Sequence, residues 1–518
     1  MQRNKRLDDS TKNVSLMIQG CTSDAGKSVL VAGLCRYLYR QGIKVAPFKP
    51  QNMALNSAVT IDGGEIGRSQ AVQAQACHLE PHSDFNPILL KPNSDTAAQV
   101  IVHGKAIDSM QAERFHAFKQ SAMSDVLESY HRLENQYEAI IIEGAGSPAE
   151  INLRKNDIAN MGFAESIDCP VILVADIDRG GVFAHLVGTL QLLSQSEQNR
   201  VVGLVINRFS GEYKLLESGI EWLEKTTNKP VLAVLPFLTD FYLDAEDAIA
   251  NSQIGSIDQS KIKIKIIVPV LPRISNHTDF DALRLHSEVD LEFVAINQQP
   301  PACDLIILPG SKNVIKDFQS LIDAGWNKIL DKHLRYGGKV IGICGGYQML
   351  GSEISDPDEI ESSIKKSDGF NYLPTTTILH KAKRLSRTKA QIINSKLDNV
   401  DVEGYEIHCG ITTISDNEAQ TASSFVKFNN GQTDGFVNKD NNILGTYLHG
   451  LFDKPLSCNA LLKWAGLSSD KMIELDEIRE QQLNRLADCI ETNFDADFLQ
   501  SLVSNKPPYR ADGDKKSA

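Results

Sequence analysis

The sequence predicts an α/β protein of two consecutive units, the first a doubly wound parallel sheet of the phosphate-loop type. Three observations predict it. Apolar strand-like runs alternate with helical patterns through residues 14–236, the grammar of a parallel sheet covered by helices. A polar stretch at 251–259 then breaks the alternation, which resumes with a new strand at residue 261. The chain is 518 residues long, more than a single core usually spans.

Strands are expected in order at 14–19, 43–48, 100–103, 139–143, 171–176, 201–207 and 231–236. Helices fit between them at 27–39, 68–78, 112–133 and 182–193. Several of the strands are unbroken apolar runs, as a sheet buried on both faces requires. The first unit is therefore placed at 1–250, a linker at 251–260 and the second unit at 261–505, with strands near 304–308 and 339–343. The acidic region 353–368 reads as a surface loop, and 506–518 as a disordered polar tail.

Bulk properties exclude several classes. A hydrophobic content of 42% is enough to fill full cores. The nine cysteines show no Cys-x-x-Cys pair, so neither a zinc site nor a disulfide framework is expected, and reduced thiols suit a cytoplasmic protein. A net charge of −13 argues against general nucleic-acid binding. It leaves room for an anionic substrate, because local basic clusters act within about a Debye length of 8–10 Å. Met1-Gln2-Arg3-Asn4-Lys5-Arg6 has charge with no apolar core behind it, so no signal peptide is expected there. No apolar run approaches the roughly 20 residues that cross a bilayer, so no membrane partner is expected.

Gly20-Cys21-Thr22-Ser23-Asp24-Ala25-Gly26-Lys27-Ser28 follows the first strand and opens the first helix. Gly20 and Gly26 let the backbone around Thr22 approach phosphates, Lys27 reaches the outer phosphate oxygens, and Ser28 can ligate Mg²⁺. Five residues separate the glycines, so the loop is a variant of the common form, which has four. Glu143 ends a central apolar strand beside this loop and suits the metal's second protein ligand. Asp176 and Asp178 end the next strand, and either can bind metal or water. Asn207 ends a later strand, where its amide can meet a purine edge. ATP with Mg²⁺ is the expected nucleotide.

The second unit carries Ile341-Gly342-Ile343-Cys344-Gly345-Gly346, a thiol at the tight turn between a strand and a helix. Glycines are needed where the backbone bends so sharply. Backbone N–H groups and the helix N-terminus point at the sulfur, favouring thiolate and supplying oxyanion donors. His449, in Gly445-Thr446-Tyr447-Leu448-His449-Gly450, is its natural base. Cysteine with a distant histidine points to acyl transfer through a thioester.

Taken together, these pieces resemble the cobyric acid synthase family over about residues 14–493. Phe48-Lys49-Pro50-Gln51-Asn52-Met53-Ala54-Leu55-Asn56-Ser57, Glu65-Ile66-Gly67-Arg68-Ser69-Gln70-Ala71, Glu143-Gly144-Ala145-Gly146-Ser147-Pro148-Ala149-Glu150 and Asp176-Ile177-Asp178-Arg179-Gly180-Gly181 carry the likeness in the first unit. The phosphate loop also resembles that of dethiobiotin synthetase. The second unit resembles class I glutamine amidotransferase domains through Pro309-Gly310-Ser311-Lys312, Gly342-Ile343-Cys344-Gly345-Gly346-Tyr347-Gln348, Gly404-Tyr405-Glu406-Ile407-His408 and Tyr447-Leu448-His449-Gly450. One departure stands out. Ordinary class I domains carry a Glu two residues after the histidine, and here that position is Leu451. Glu406, His408 and Asp453 are the alternatives for a third catalytic member, and the sequence does not choose among them.

The resemblance implies an ATP-dependent synthetase unit fed by a glutaminase unit. Gly310 and Gly345 would supply oxyanion N–H groups, and ammonia released at Cys344 would travel under shelter to an acyl phosphate. The implied acceptor is a corrinoid polycarboxylate, adenosylcobyrinic acid a,c-diamide, amidated at its b, d, e and g carboxylates to adenosylcobyric acid. Gln51, Asn52, Asn56, Arg68 and Gln70 are the implied acceptor contacts, assisted by Arg179 and Arg208. Rival readings are the same chemistry on another carboxylic acid, a non-catalytic regulator, and a partitioning-type ATPase switch. The two non-catalytic rivals have no use for the Cys344 and His449 pair.

Overall fold

The computed structural model describes residues 13–92, 97–244, 246, 259–394, 397, 399–414 and 422–504, with backbone alone at 108–117, 120 and 259. Most of the expected linker and the polar tail after 505 lie outside the described residues.

The apolar runs of the first half form one six-stranded sheet. Across it the strands run Val231–Pro236, Val201–Phe209, Val171–Asp176, Val14–Gly20, Ala139–Glu143 and Val45–Phe48. Every pair is parallel. Alternate side chains feed two cores: Met17, Ile140, Ile142 and Leu173 one, Leu16, Ile18, Ile141 and Ile172 the other. This period of two fits a strand buried on both faces. The chain runs from Val14–Gly20 out to the edge strand Val45–Phe48, and the last three strands build on the opposite side. Strand order reverses around Val14–Gly20, so the loops after it and after Ala139–Glu143 flank the crevice where such sheets bind ligands.

The run expected at 100–103 does not join this sheet. Strand Ala97–Val102 pairs antiparallel with Ile88–Pro92 and Lys105–Gln111, and Gln51–Met53 completes a separate four-stranded sheet. His103 and Gly104 both take positive φ and turn the chain back as a hairpin. A short apolar run carries no signal that separates the two pairings.

The second half centres on a larger mixed sheet. Its parallel part runs Val289–Ala295, Ile264–Val270, Leu305–Leu308, Lys339–Ile343 and Ile443–Thr446. Antiparallel strands Thr433–Asn438, Ala422–Phe428 and Thr375–Ile392 extend it, and Thr375–Ile392 forms a long hairpin with Val400–Ile414. The acidic region 353–368 is more than the expected surface loop. Asp356 is fully buried and accepts backbone N–H groups of Ile360, Glu361 and Ser362. A short carboxylate that satisfies loop amides folds the segment inward.

The chain ends by crossing back. Residues 475–503 fall within the second unit as bounded from the sequence, but they form helices Leu475–Asn493 and Ala496–Val503, whose Leu483, Leu486, Ile490, Phe498 and Leu502 join a core of the first sheet. Arg36 of helix Lys27–Arg40 meets Glu480 at 2.9 Å, with Arg36 itself buried.

Candidate active site

Gly26 takes φ +95° and leads into helix Lys27–Arg40, and a Cβ there would stand 2.1 Å from the Asn207 Nδ2 atom. Only glycine makes that turn against that neighbour. Asn207 donates from Nδ2 to the Ala25 carbonyl at 2.9 Å, so it braces the phosphate loop. Lys27 Nζ donates to the carbonyls of Thr22, Ser23 and Gly146 at 3.2, 2.9 and 3.1 Å. Burial lowers the Lys27 ammonium to about 8, against the opposing pull of Glu143. A Cβ on Gly20 would collide with Thr22 O at 2.6 Å and crowd Lys27 Nζ at 2.9 Å.

Ser28 Oγ donates to Glu143 Oε1 at 2.8 Å. The buried Lys49 ammonium meets the same oxygen at 2.8 Å, and Gln73 donates to Oε2 at 2.5 Å. Burial alone would raise the Glu143 carboxyl, but Lys49 and these hydrogen bonds hold it below the usual carboxylate range. Lys49 stands in the quoted motif of the first unit, yet its residue type gave no hint that it would ion-pair at the metal position. Nearby, Asp176 pairs with Arg208 at 2.7 Å, and Arg179 pairs with Asp24 at 3.1 Å.

A polar seam leads away from Glu143. Gln70 donates to Glu143 at 3.4 Å and accepts from Asn52 at 2.8 Å. Asn52 and Ser69 donate to the Glu246 carboxylate at 2.5 and 2.8 Å, and Asn56 donates to the Glu246 carbonyl. Across the junction of the two halves, His277 N donates to Asn56 Oδ1 at 3.0 Å and Ser57 N to Asn276 Oδ1 at 3.3 Å. Asn276 in turn lines a recess at Cys344. Of the five expected acceptor contacts, Asn52, Asn56 and Gln70 are thus buried in this seam. Gln51 is half-buried. Arg68 donates to Ser57 O and Tyr405 Oη at 3.1 and 2.9 Å and borders a cavity of about 970 Å³ between the halves.

Cys344 adopts φ +52° and ψ −105°, a setting that non-glycine residues seldom take and that active-site turns store. The turn is locked from below. A Cβ on Gly346 would lie 2.0 Å from Leu308 O. Gly345 abuts Ser311 N at a Cβ distance of 2.8 Å, and Gly310 lies 3.5 Å from His449 Cε1 by the same measure. The two glycines therefore flank the thiol and imidazole.

His449 is fully buried, and its Nδ1 meets Asp279 Oδ2 at 2.7 Å. Asp279 Oδ1 also accepts the Gly450 N–H at 3.0 Å. The Tyr405 ring stacks on the imidazole, with centroids 5.1 Å apart and planes 12° apart. Burial alone would lower the imidazole, but Asp279, and then the Cys344 thiol, raise it to about 10. Asp279 is therefore the carboxylate beside the histidine, and the three alternatives read from the sequence are corrected. Glu406 is engaged by Arg384 at 2.9 Å. His408 stacks on Tyr447 at 3.7 Å. The Asp453 carboxyl, raised by burial to about 6, has no hydrogen bond to His449 among those described. The missed signal is the polar run Ser275-Asn276-His277-Thr278-Asp279, which follows strand Ile264–Val270 and begins in the short strand Ile274–Ser275.

Two family models match the chain, one in each half. Residues 265–456 match the family of CobB/CobQ-like glutamine amidotransferase domains, and residues 16–249 match the CobQ/CobB/MinD/ParA nucleotide binding domain. A cobyric acid synthase of Marinomonas sp. (strain MWYL1) is 57% identical over 95% of this chain and 99% of its own. The chain belongs to the cobyric acid synthase family. It is a glutamine-hydrolysing carbon–nitrogen ligase with a nucleotide-binding half. Among solved structures, PurLQS from Thermotoga maritima aligns over 43% of this chain and 99% of its own, at 14% identity and a TM-score of 0.29. A putative GMP synthase component from Thermoplasma acidophilum aligns over 42% of this chain and 97% of its own, at 17% identity and a TM-score of 0.28. Among the described residues, no helix is long and apolar enough to cross a membrane.

Proposed function

We propose that this chain makes adenosylcobyric acid from adenosylcobyrinic acid a,c-diamide, amidating the b, d, e and g carboxylates with ATP and with nitrogen from glutamine. The observation that carries the reading is the pair of sites in one chain, Cys344–His449–Asp279 and Lys27–Ser28–Glu143, linked by the polar seam through Asn56 and Asn276.

At the first site His449 takes the Cys344 proton, and the sulfur attacks the side-chain amide carbon of glutamine. Backbone N–H groups at Gly310 and Gly345 receive the oxyanion. The tetrahedral adduct collapses as His449 returns the proton to the departing nitrogen, releasing ammonia. Water then hydrolyses the glutamyl thioester to glutamate and restores the thiol. Asp279 fixes the ring so that Nε2 faces sulfur and stabilises the imidazolium.

At the second site a carboxylate oxygen of the acceptor attacks the γ-phosphorus of ATP, ADP leaves, and an acyl phosphate forms. Lys27 neutralises charge on the phosphoryl oxygens. The Ser28 hydroxyl and Glu143 carboxylate fit a hard divalent cation whose remaining ligands are phosphate and water. Mg²⁺ held there would draw charge off the phosphates. Ammonia crossing the seam attacks the acyl carbon, and phosphate leaves.

The acceptor is large and polyanionic. The cavity of about 970 Å³ is bordered by Arg68, Arg387, Lys389, Lys454 and Arg479 and equally by the acids Glu80, Asp244, Glu403, Asp453, Asp476 and Glu480, so its size and its place rather than its net charge suit the acceptor, and Arg68 opens the helix whose Gln70 and Gln73 reach Glu143. We assign the corrinoid to this cavity. The test is the donor split. Cys344→Ser should lose glutamine-driven amidation and keep ammonia-driven amidation, whereas Lys27→Ala should lose both.

A further inference from the structure

The recess beside Cys344 carries more charge than an amide needs. Lys91, Lys312, Lys383 and Glu361 line it together with Gln348 and the thiol. Behind it Glu65 takes Lys91 on Oε1 at 2.6 Å and Lys383 on Oε2. Lys91 also donates to Ser57 Oγ at 2.9 Å, and Lys312 to Gln99 Oε1 at 3.1 Å. Three ammonium groups thus face two carboxylates, Glu65 and Glu361, and the recess holds an excess of one positive charge. Burying an uncompensated cation is costly, and an anionic ligand would relieve the cost.

The acid is placed as deliberately as the cations. Glu361 Oε2 accepts Val314 N–H at 3.2 Å, and Asn313 donates to the Glu361 carbonyl at 2.9 Å. Asp356, fully buried, holds the loop that delivers it. The chemistry at sulfur acts on a neutral side-chain amide. A further cation excess and a fixed carboxylate match the other end of a free amino acid, its α-carboxylate and α-ammonium.

We propose that Lys91, Lys312 and Lys383 receive the α-carboxylate of glutamine and Glu361 its α-ammonium, so that the nucleotide-binding half builds part of the glutamine site. The proposal rests on the glutaminase reading above. Lys91 and Glu65 belong to the first half of the chain, and Lys312, Glu361 and Lys383 to the second. The recess measures about 30 Å³, room for about one water and too little for an amino acid. Glutamine therefore enters only when the walls part, and the Glu65–Lys383 contact lies on the line of parting. Occupancy of the thiol site is in this way tied to how the two halves sit.

The experiment uses the full chain and measures ammonia release from L-glutamine and from 4-aminobutanamide, which lacks the α-carboxylate. Wild type should prefer glutamine by about 100-fold or more in kcat/KM. Lys91→Met should raise the glutamine KM by about tenfold or more with little loss of kcat, and leave turnover of the analogue almost unchanged. Equal loss on both substrates, or an unchanged glutamine KM, would overturn the proposal. Should Lys91→Met melt well below wild type, Lys91→Arg and Glu361→Gln carry the test. The first should keep the preference, and the second should lose discrimination against glutaramate, which lacks the α-ammonium. Wild type that releases ammonia from neither substrate would instead refute the glutaminase reading.

Discussion

At the level of single residues, the proposed glutamine hydrolysis turns on what holds His449. Asp279 grips Nδ1 and the neighbouring Gly450 N–H with its two oxygens, so one carboxylate fixes both ring and backbone. Asp279→Asn keeps the shape but offers a donor where an acceptor is needed. We expect glutamine hydrolysis to fall by roughly 10²–10⁴-fold, with ammonia-driven amidation largely retained, as steady-state assays with each donor would show. The same contact has a pH signature. His449 is raised from its ordinary 6.5 to about 10 in the folded chain, so its contribution to stability is full below about pH 6.5 and fades as pH climbs through 10. Melting temperatures measured from pH 6.5 to 10 should therefore fall more steeply for wild type than for Asp279→Asn. Strand–turn–helix spacing marked Cys344, Lys27 and Ser28 as candidates in the sequence, and His449 entered only as the partner of Cys344. Asp279 was not, because it lies 170 residues from its partner and only the tertiary fold brings them together.

Elements were legible where periodicity is strong. Strands buried on both faces announced the first sheet, and the phosphate loop fell where the glycine spacing put it. Pairing was harder, since the His103-Gly104 hairpin moved strand Ala97–Val102 into a sheet of its own. The loop at 353–368 read as solvent because it is acidic, yet Asp356 spends its charge on backbone amides and turns Glu361 inward. The phosphate loop itself yields an element-scale prediction. Gly26→Ala forces a side chain onto φ +95° and into Asn207, at a strain of about 1–3 kcal/mol. Amidation should drop by about tenfold or more with either nitrogen donor, while glutamine hydrolysis falls less. Equal kinetics in an ATP-saturation series would count against the role of this loop.

At the scale of the whole molecule, the halves are stitched together in several places. Arg36–Glu480 and Arg479–Asp244 fasten the terminal helices to the first half, while Arg68–Tyr405 and Lys383–Glu65 close the junction near the thiol. The return of residues 475–503 to the first sheet had no sequence signal, because an amphipathic helix does not say which core it covers. In the proposed function, ammonia travels along the seam through Asn52, Asn56 and Asn276. Asn56→Leu should sever the seam, so that more ammonia reaches solvent for each amide formed. A coupled assay for both products would detect the leak, and an unchanged ratio would place the path elsewhere. In the proposed function, nitrogen released at Cys344 is consumed at the acyl phosphate beside Lys27. Glutamine carrying an isotopic label in its side-chain amide, supplied with ATP and the a,c-diamide acceptor amid excess unlabelled ammonia, tests it most directly. Mass spectra should show labelled amides with wild type and only unlabelled amides with Cys344→Ser. Labelled product from Cys344→Ser, or no amide from wild type with either donor, would refute the transfer of nitrogen from Cys344.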